Sequence, residues 1–210
     1  MARESAAQKL ARMTVIEREL WAKGMAVAGI DEVGRGPLCG PVMSACIVIP
    51  EDALILGVDD SKKLSESKRE ALYDELMACA SYVQTASVSA EEIDEIGIVE
   101  ATMRTMQRAS AELSGAFFLV DAVKGLKLPG ASRSIIHGDA LSYMIAAASI
   151  VAKVRRDRYM QVLHERYPMY NFRKHKGYGT AEHIAALREY GPCPEHRRTF
   201  IQKIMEGTQR

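Results

Sequence analysis

The stretch MIAAASIVA, residues 144–152, restricts the fold more than any other part of the chain. It is uncharged, and four of its nine residues are alanine. Side chains this small let a helix backbone approach a flat partner closely, which suits packing against a sheet. The spacing predicts a long helix from about Ala140 to Glu165, opened by Asp139, with Pro168 just past its end. A partner sheet is legible as five strands, roughly 26–31, 42–49 (VMSACIVI), 82–88 (YVQTASV), 116–121 (AFFLVD) and 134–137 (SIIH).

Helices fill the intervals. Ser65 caps one running to about Cys79, and Ser89 with Glu92 has capping-box spacing. Gly97 breaks that second element before a helix from Ile98 to about Leu113. Thr180 caps a helix to Tyr190 with Gly191 at its C′ position, and Thr199 begins a short last one. Residues 1–25 read as a leader helix with Leu10, Met13, Ile16, Glu17 and Leu20 at helical spacing. Strands followed by alternating helices and strands imply an α/β layer architecture with a mixed central sheet. The expected organisation is a core over 26–165 and a helical portion over 166–210, joined as one compact unit.

Composition narrows the function. Of 210 residues, 48% are hydrophobic and 26% charged, which supports one sizeable core. No apolar run reaches the roughly 18 residues of a membrane span, and MARESAAQKLARMTVIEREL lacks a signal-peptide core, so the expectation is a cytoplasmic protein. Cys39, Cys46, Cys79 and Cys193 show no C-x-x-C spacing, which suggests neither a zinc site nor a disulfide framework; they read as reduced thiols. The net charge of +1 hides an asymmetry. Residues 1–149 hold 15 Lys/Arg against 21 Asp/Glu, whereas residues 150–210 hold 13 against 6. Seven of the 13 aromatics lie in that basic stretch, a pattern that suits phosphate backbones and base or sugar stacking and equally suits a solvated helix face.

Four acids stand in suggestive places. Asp31 and Glu32 are adjacent at the end of the first strand, Asp121 ends the most apolar strand, and Asp139 follows the last. Acids where chains leave a sheet can converge on one cleft. Read singly, Asp139 is a helix cap, Asp121 a turn acid, and Asp31-Glu32 an exposed corner. Together they form an all-oxygen set that favours a hard ion, Mg²⁺ or Mn²⁺, over zinc.

These residues carry a resemblance. GIDEVGRGPLCGPV at 29–42, DSKKLS at 60–65, FLVDA at 118–122, HGDALSYMIAAASIVAKVRRD at 137–157, HKGYGT at 175–180 and HRRTF at 196–200 resemble ribonuclease HII, the type 2 ribonuclease H family, in family order. The resemblance implies a ribonuclease H-like fold with a helical C-terminal portion. It also implies a metal-dependent endonuclease of the two-metal-ion type that degrades RNA in RNA–DNA hybrids. On duplex DNA it would nick 5′ of an embedded ribonucleotide, leaving 3′-hydroxyl and 5′-phosphate ends, in ribonucleotide removal during replication and repair. Asp31, Glu32, Asp121 and Asp139 match the family's catalytic acids, with Mn²⁺ or Mg²⁺ as cofactor. Gly34-Arg35-Gly36 matches the turn that reads a 2′-hydroxyl, and Tyr178 the ring that packs on the deoxyribose at the junction.

Further substrate contacts are expected at Lys62, Lys63, Ser149, Lys153, Lys176, Arg197 and Arg198. Lys62-Lys63 also merely precede the Ser65 cap, and Ser149 with Lys153 also suit a packing seam. Asp157 is expected to hold the basic cluster in place. His137 stands where lysine is frequent, and Ala122 replaces a frequent glycine, a change expected to be harmless. The leader is shorter than the N-terminal domain of some relatives. The expected state is a monomer without membrane contact. The sister ribonuclease HIII, a non-catalytic nucleic-acid-binding module and a small-molecule phosphohydrolase are the alternatives.

Overall fold

Alternation along the first strand builds the two faces of the molecule. The computed structural model describes residues 4–123 and 125–207. Strand β1 spans Ala26–Val33, with Val27 packed in one apolar cluster and Ala28 and Ile30 in another on the opposite face. β1 pairs antiparallel with β2 (Val42–Val48), and β2 antiparallel with β3 (Tyr82–Val88). On its other side β1 pairs parallel with β4 (Ala116–Asp121), and β4 parallel with β5 (Ser132–Ile135). The sheet is therefore mixed, in the order β3-β2-β1-β4-β5, with the most apolar strands central.

Helices α3 (Glu66–Cys79), α4 (Ala90–Ile96), α5 (Ile98–Ser110), α6 (Gly138–Leu141) and α7 (Tyr143–Arg166) follow the strands. One face is covered by α7, whose Ala146, Ala147 and Ala148 are fully buried. Contact is so close that a Cβ on Gly29 of β1 would overlap the Met144 carbonyl group, which explains why small residues gather in both elements. Met106 and Ala109 of α5 cover the other face with Phe118 and Val120. Helices α8 (Phe172–His175), α9 (Ala181–Tyr190) and α10 (Arg198–Glu206) form the end of the chain, and Phe172, Tyr170 and Ala186 pack against Met160 and Leu163 of α7. No helix among the described residues is long and apolar enough to cross a membrane.

Several boundaries differ from expectation for local reasons. The long helix is two helices: Ser142, in extended backbone, interrupts it and accepts from the Ile145 N–H, so Ser142 rather than Asp139 caps α7. β5 lies two residues earlier than expected because its register pairs Phe118 with Ser132 and Asp121 with Ile135, and His137 then leaves the sheet at φ 57°. The leader is two helices, α1 (Ala6–Met13) and α2 (Val15–Trp21), broken where the Thr14 hydroxyl donates to the Leu10 carbonyl. α5 ends at Ser110 instead of Leu113. Ser89 caps α4, but the Glu92 carboxylate turns to Arg104 and Arg108 instead of closing a capping box. The last helix starts at Arg198, where Asp94 accepts from the Arg198 and Thr199 backbone N–H groups.

Candidate active site

Parallel pairing of β1 and β4 brings the acids together. Ile30 is in register with Val120, so Asp31 and Asp121 emerge side by side from the central strands. Asp31 is 5% exposed and accepts from the Glu32 N–H at 2.8 Å. Asp121 accepts from the Gly138 N–H at 2.8 Å, which fixes the α6 turn that carries the buried Asp139. One oxygen of Glu32 lies 3.5 Å from Arg35, while Oε2 is buried without a hydrogen-bond partner. Burial drives the Asp31 carboxyl well above the usual range, and the charges of Glu32, Asp121 and Asp139 push it further. Burial also raises Glu32, against the pull of Arg35, and raises Asp121, against the Gly138 hydrogen bond. An orphaned carboxylate oxygen among mutually repelling acids is a site that a divalent cation would complete, and its all-oxygen donors suit a hard ion.

Next to the acids lies a turn that two buried arginines hold by its carbonyls. Gly34 has φ 91°, and a side chain there would strike Arg156 and the Pro41 carbonyl. Arg197 donates to the carbonyls of Gly34 (2.6 Å), Arg35 (3.0 Å) and Gly40 (3.0 Å). Arg156 donates to those of Pro41 (3.1 Å), Cys39 (3.1 Å) and Lys176 (3.0 Å). The Lys176 bond ties the segment carrying Tyr178 to the same turn. The half-exposed Tyr178 ring lies 3.7 Å from where a Gly36 Cβ would stand, so Gly34-Arg35-Gly36 and Tyr178 form one surface beside the acids.

Lys62 also reaches the acids, 3.2 Å from Asp139. Its short 3₁₀ turn is held by Asp60, which accepts from the Lys62 N–H, and by Ser149, which accepts from the Ser61 N–H. Lys63 is exposed, 4.0 Å from Asp60, and the exposed Arg198 begins α10.

Four expected substrate contacts need correction. Arg197 is fully buried and spends its donors on backbone carbonyls, so it shapes the turn and does not meet phosphate. Ser149 is buried and donates to the Ala146 carbonyl, which makes it part of the packing seam. Lys153 is turned into a bond with Asp157 at 2.7 Å. Lys176 is mostly covered, 3.7 Å from Glu66, and contributes chiefly its carbonyl. Asp157 joins Lys153 and Arg69, the bracing role expected of it. Ala122 sits at φ 29°, a left-handed backbone that glycine adopts at lower cost, so its substitution is not neutral. Arg156 escaped the sequence reading, since a buried arginine has the same local signature as a solvated one, and Glu17 was placed on the leader's helical face without a link to the site. Glu17 of α2 accepts from the Ser142 hydroxyl (2.5 Å) and the Met144 N–H (3.1 Å), fastening the leader to the start of α7 beside Asp139.

A mixed five-stranded sheet whose central strands deliver acids to one end, with helices on both faces, defines a ribonuclease H-like α/β protein. The family model described as ribonuclease HII matches residues 28–203. The chain belongs to the ribonuclease HII family, ribonuclease H enzymes that act on the RNA of RNA–DNA hybrids. Ribonuclease HII of Caldanaerobacter subterraneus subsp. tengcongensis is 46% identical over 203 residues, covering 95% of this chain and 84% of the relative. That of Geobacillus thermodenitrificans is 51% identical over 203 residues, covering 94% and 78%. Among solved structures, ribonuclease H2 from Pyrococcus horikoshii superposes with TM-score 0.73 at 29% identity, covering 89% of this chain and all of that one. Ribonuclease HII from Archaeoglobus fulgidus, solved in complex with PCNA, gives 0.71 at 26% identity, covering 82% and 94%. A Bst ribonuclease HIII, 15% identical with TM-score 0.68, shares the fold alone.

Proposed function

We propose that the chain hydrolyses RNA in RNA–DNA hybrids and nicks duplex DNA on the 5′ side of an embedded ribonucleotide, leaving 3′-hydroxyl and 5′-phosphate ends, as a cytoplasmic monomer acting in ribonucleotide removal. The observation that carries this reading is the convergence of Asp31, Glu32, Asp121 and Asp139 beside the Gly34–Gly36 turn, with Glu32 Oε2 buried and unpartnered. The four acids would hold Mg²⁺ or Mn²⁺, which when bound supplies a more acidic water and neutralises charge on the phosphate. A Bst ribonuclease HIII of the same fold has been solved with Mn²⁺.

The chain's own residues do the positioning. Arg197 and Arg156 hold the turn by its carbonyls, which leaves Gly36 at the surface with no side chain of its own to obstruct a sugar. Such a surface suits reading a 2′-hydroxyl, the group that separates RNA from DNA. The Tyr178 ring beside Gly36 suits packing on the deoxyribose that follows the ribonucleotide. Lys62, 3.2 Å from Asp139 and mostly exposed, would stand within reach of a phosphate held at the acids. Lys63, Arg35 and Arg198 remain exposed for the backbone.

The test is a duplex with one ribonucleotide, incubated with Mg²⁺, Mn²⁺ or EDTA, and the cut mapped. A single nick 5′ of the ribonucleotide that EDTA abolishes is expected. Cleavage only within long RNA tracts would remove the junction-reading role.

A further inference from the structure

We propose that Cys39, Cys193 and His196 form a second metal site, which takes a soft d¹⁰ ion, Zn²⁺, and ties the end of the reading turn to the C-terminal helices. The ligand atoms of these three residues, two sulfurs and a ring nitrogen, lie within 4.8 Å of one another, and all three residues are buried. Thiolates and imidazole select zinc over the hard ions that carboxylates take, so the donor chemistry separates this cluster from the acids.

The surroundings prepare His196 as a ligand. His183 Nδ1 donates to the Tyr178 carbonyl at 3.0 Å, so in the neutral ring its Nε2 carries a lone pair. His196 Nε2 lies 3.0 Å from that lone pair and must donate to it. The tautomer is thereby fixed: His196 Nδ1 carries the ring's remaining lone pair, which accepts from the Cys193 N–H at 3.0 Å and lies 3.1 Å from Cys193 Sγ, so an ion bound there would take the place of that N–H. A ligand histidine whose other nitrogen donates to a neighbour is the usual outer shell of a zinc site.

Two sulfurs and one imidazole leave a fourth position for solvent. A cavity of about 490 Å³ lined by Glu91, Asp94, Glu95, Pro194, His196 and Arg198 gives water and ions an approach to His196. Cys39 and His196 are already bridged by backbone pairing, and the Cys39 carbonyl holds Arg156. An ion at this point would brace the same turn that Arg197 clamps.

Co²⁺ serves as the spectroscopic probe. The EDTA-stripped full chain, in excess Mg²⁺ to occupy the carboxylates, is titrated with Co²⁺ under reducing conditions. One equivalent should produce a sulfur-to-cobalt charge-transfer band. Cys39→Ser and Cys193→Ser should abolish that band, Asp31→Asn should keep it, and Zn²⁺ should bleach it and raise Tm. A measurement without substitution is alkylation of the native chain followed by peptide mapping, in which Zn²⁺ should protect Cys39 and Cys193 and leave Cys79 reactive. Absence of the band, a band insensitive to either cysteine, or a Cys39–Cys193 disulfide in the freshly reduced protein would overturn the assignment.

Discussion

At the scale of single residues, cost and purpose separate. Ala122 follows a proposed ligand at φ 29°, a conformation costing an L-residue on the order of 1–2 kcal/mol, whereas glycine loses roughly 0.5–1 kcal/mol of chain entropy. Ala122→Gly is therefore expected to stabilise the protein by about 0.5–1 kcal/mol in urea unfolding; a lower midpoint would contradict the strain. Asp31 is destabilising for a different reason. Its folded-state pKa lies above the unfolded value, so its contribution is fully present at low pH and is lost as pH rises through the raised folded value. Asp31→Asn keeps the acceptor for the Glu32 N–H and should raise metal-free stability at neutral pH while abolishing cleavage. Retained turnover, or a variant less stable than the parent at every pH, would remove Asp31 from the cluster. Tyr178 belongs at this scale too. Tyr178→Ala should impair nicking at a single ribonucleotide at least tenfold more than cleavage inside a long RNA tract, and equal losses would make the ring merely structural.

At the scale of elements, the decisive contact is between β1 and α7. The Gly29 backbone meets the Met144 carbonyl group with no space for a methyl. Gly29→Ala must push α7 away from the sheet, and overpacking of this kind typically costs about 1–3 kcal/mol. Because Asp31 lies two residues further along β1 and Asp139 just before α7, that variant should also weaken Mn²⁺ binding. Calorimetric titration checks this, and unchanged stability with unchanged Mn²⁺ affinity would show that the contact relaxes freely. The break between α6 and α7 has the same logic. Ser142 and Glu17 restart the helix, which frees the Asp139 turn to be fixed by Asp121 instead of by helix geometry.

At the scale of the whole molecule, the basic C-terminal end divides into scaffold and contact surface. Arg156 and Arg197 face inward on carbonyls, and Lys153 is neutralised by Asp157, so the excess positive charge overstates what meets a phosphate backbone. Arg197→Ala should lower stability and activity on every substrate, since it leaves buried carbonyls unpaired, yet leave the salt dependence of binding unchanged. Lys63→Ala should preserve stability and flatten the salt slope by about one unit, as loss of one phosphate contact requires. Fluorescence binding at several salt concentrations separates the two, and a flattened slope in the Arg197 variant would return that residue to the interface.

What the sequence determined alone is whatever depends on neighbours along the chain. Short apolar runs located β1 to β4, Ser65, Ser89 and Thr180 announced their caps, and motif order carried the family and its four acids. Tertiary structure decided everything that depends on which face a side chain meets. Arg197 and Arg198 are adjacent and chemically alike, but one is sealed against three carbonyls and the other is open to solvent. Cys39 and Cys193 lie far apart in sequence, and no spacing rule joins them; pairing of the C-terminal segment with the Cys39 backbone sets their sulfurs beside one histidine. The physical reason is that propensity and capping act over a few residues, whereas burial and charge pairing are fixed only when distant segments close on each other.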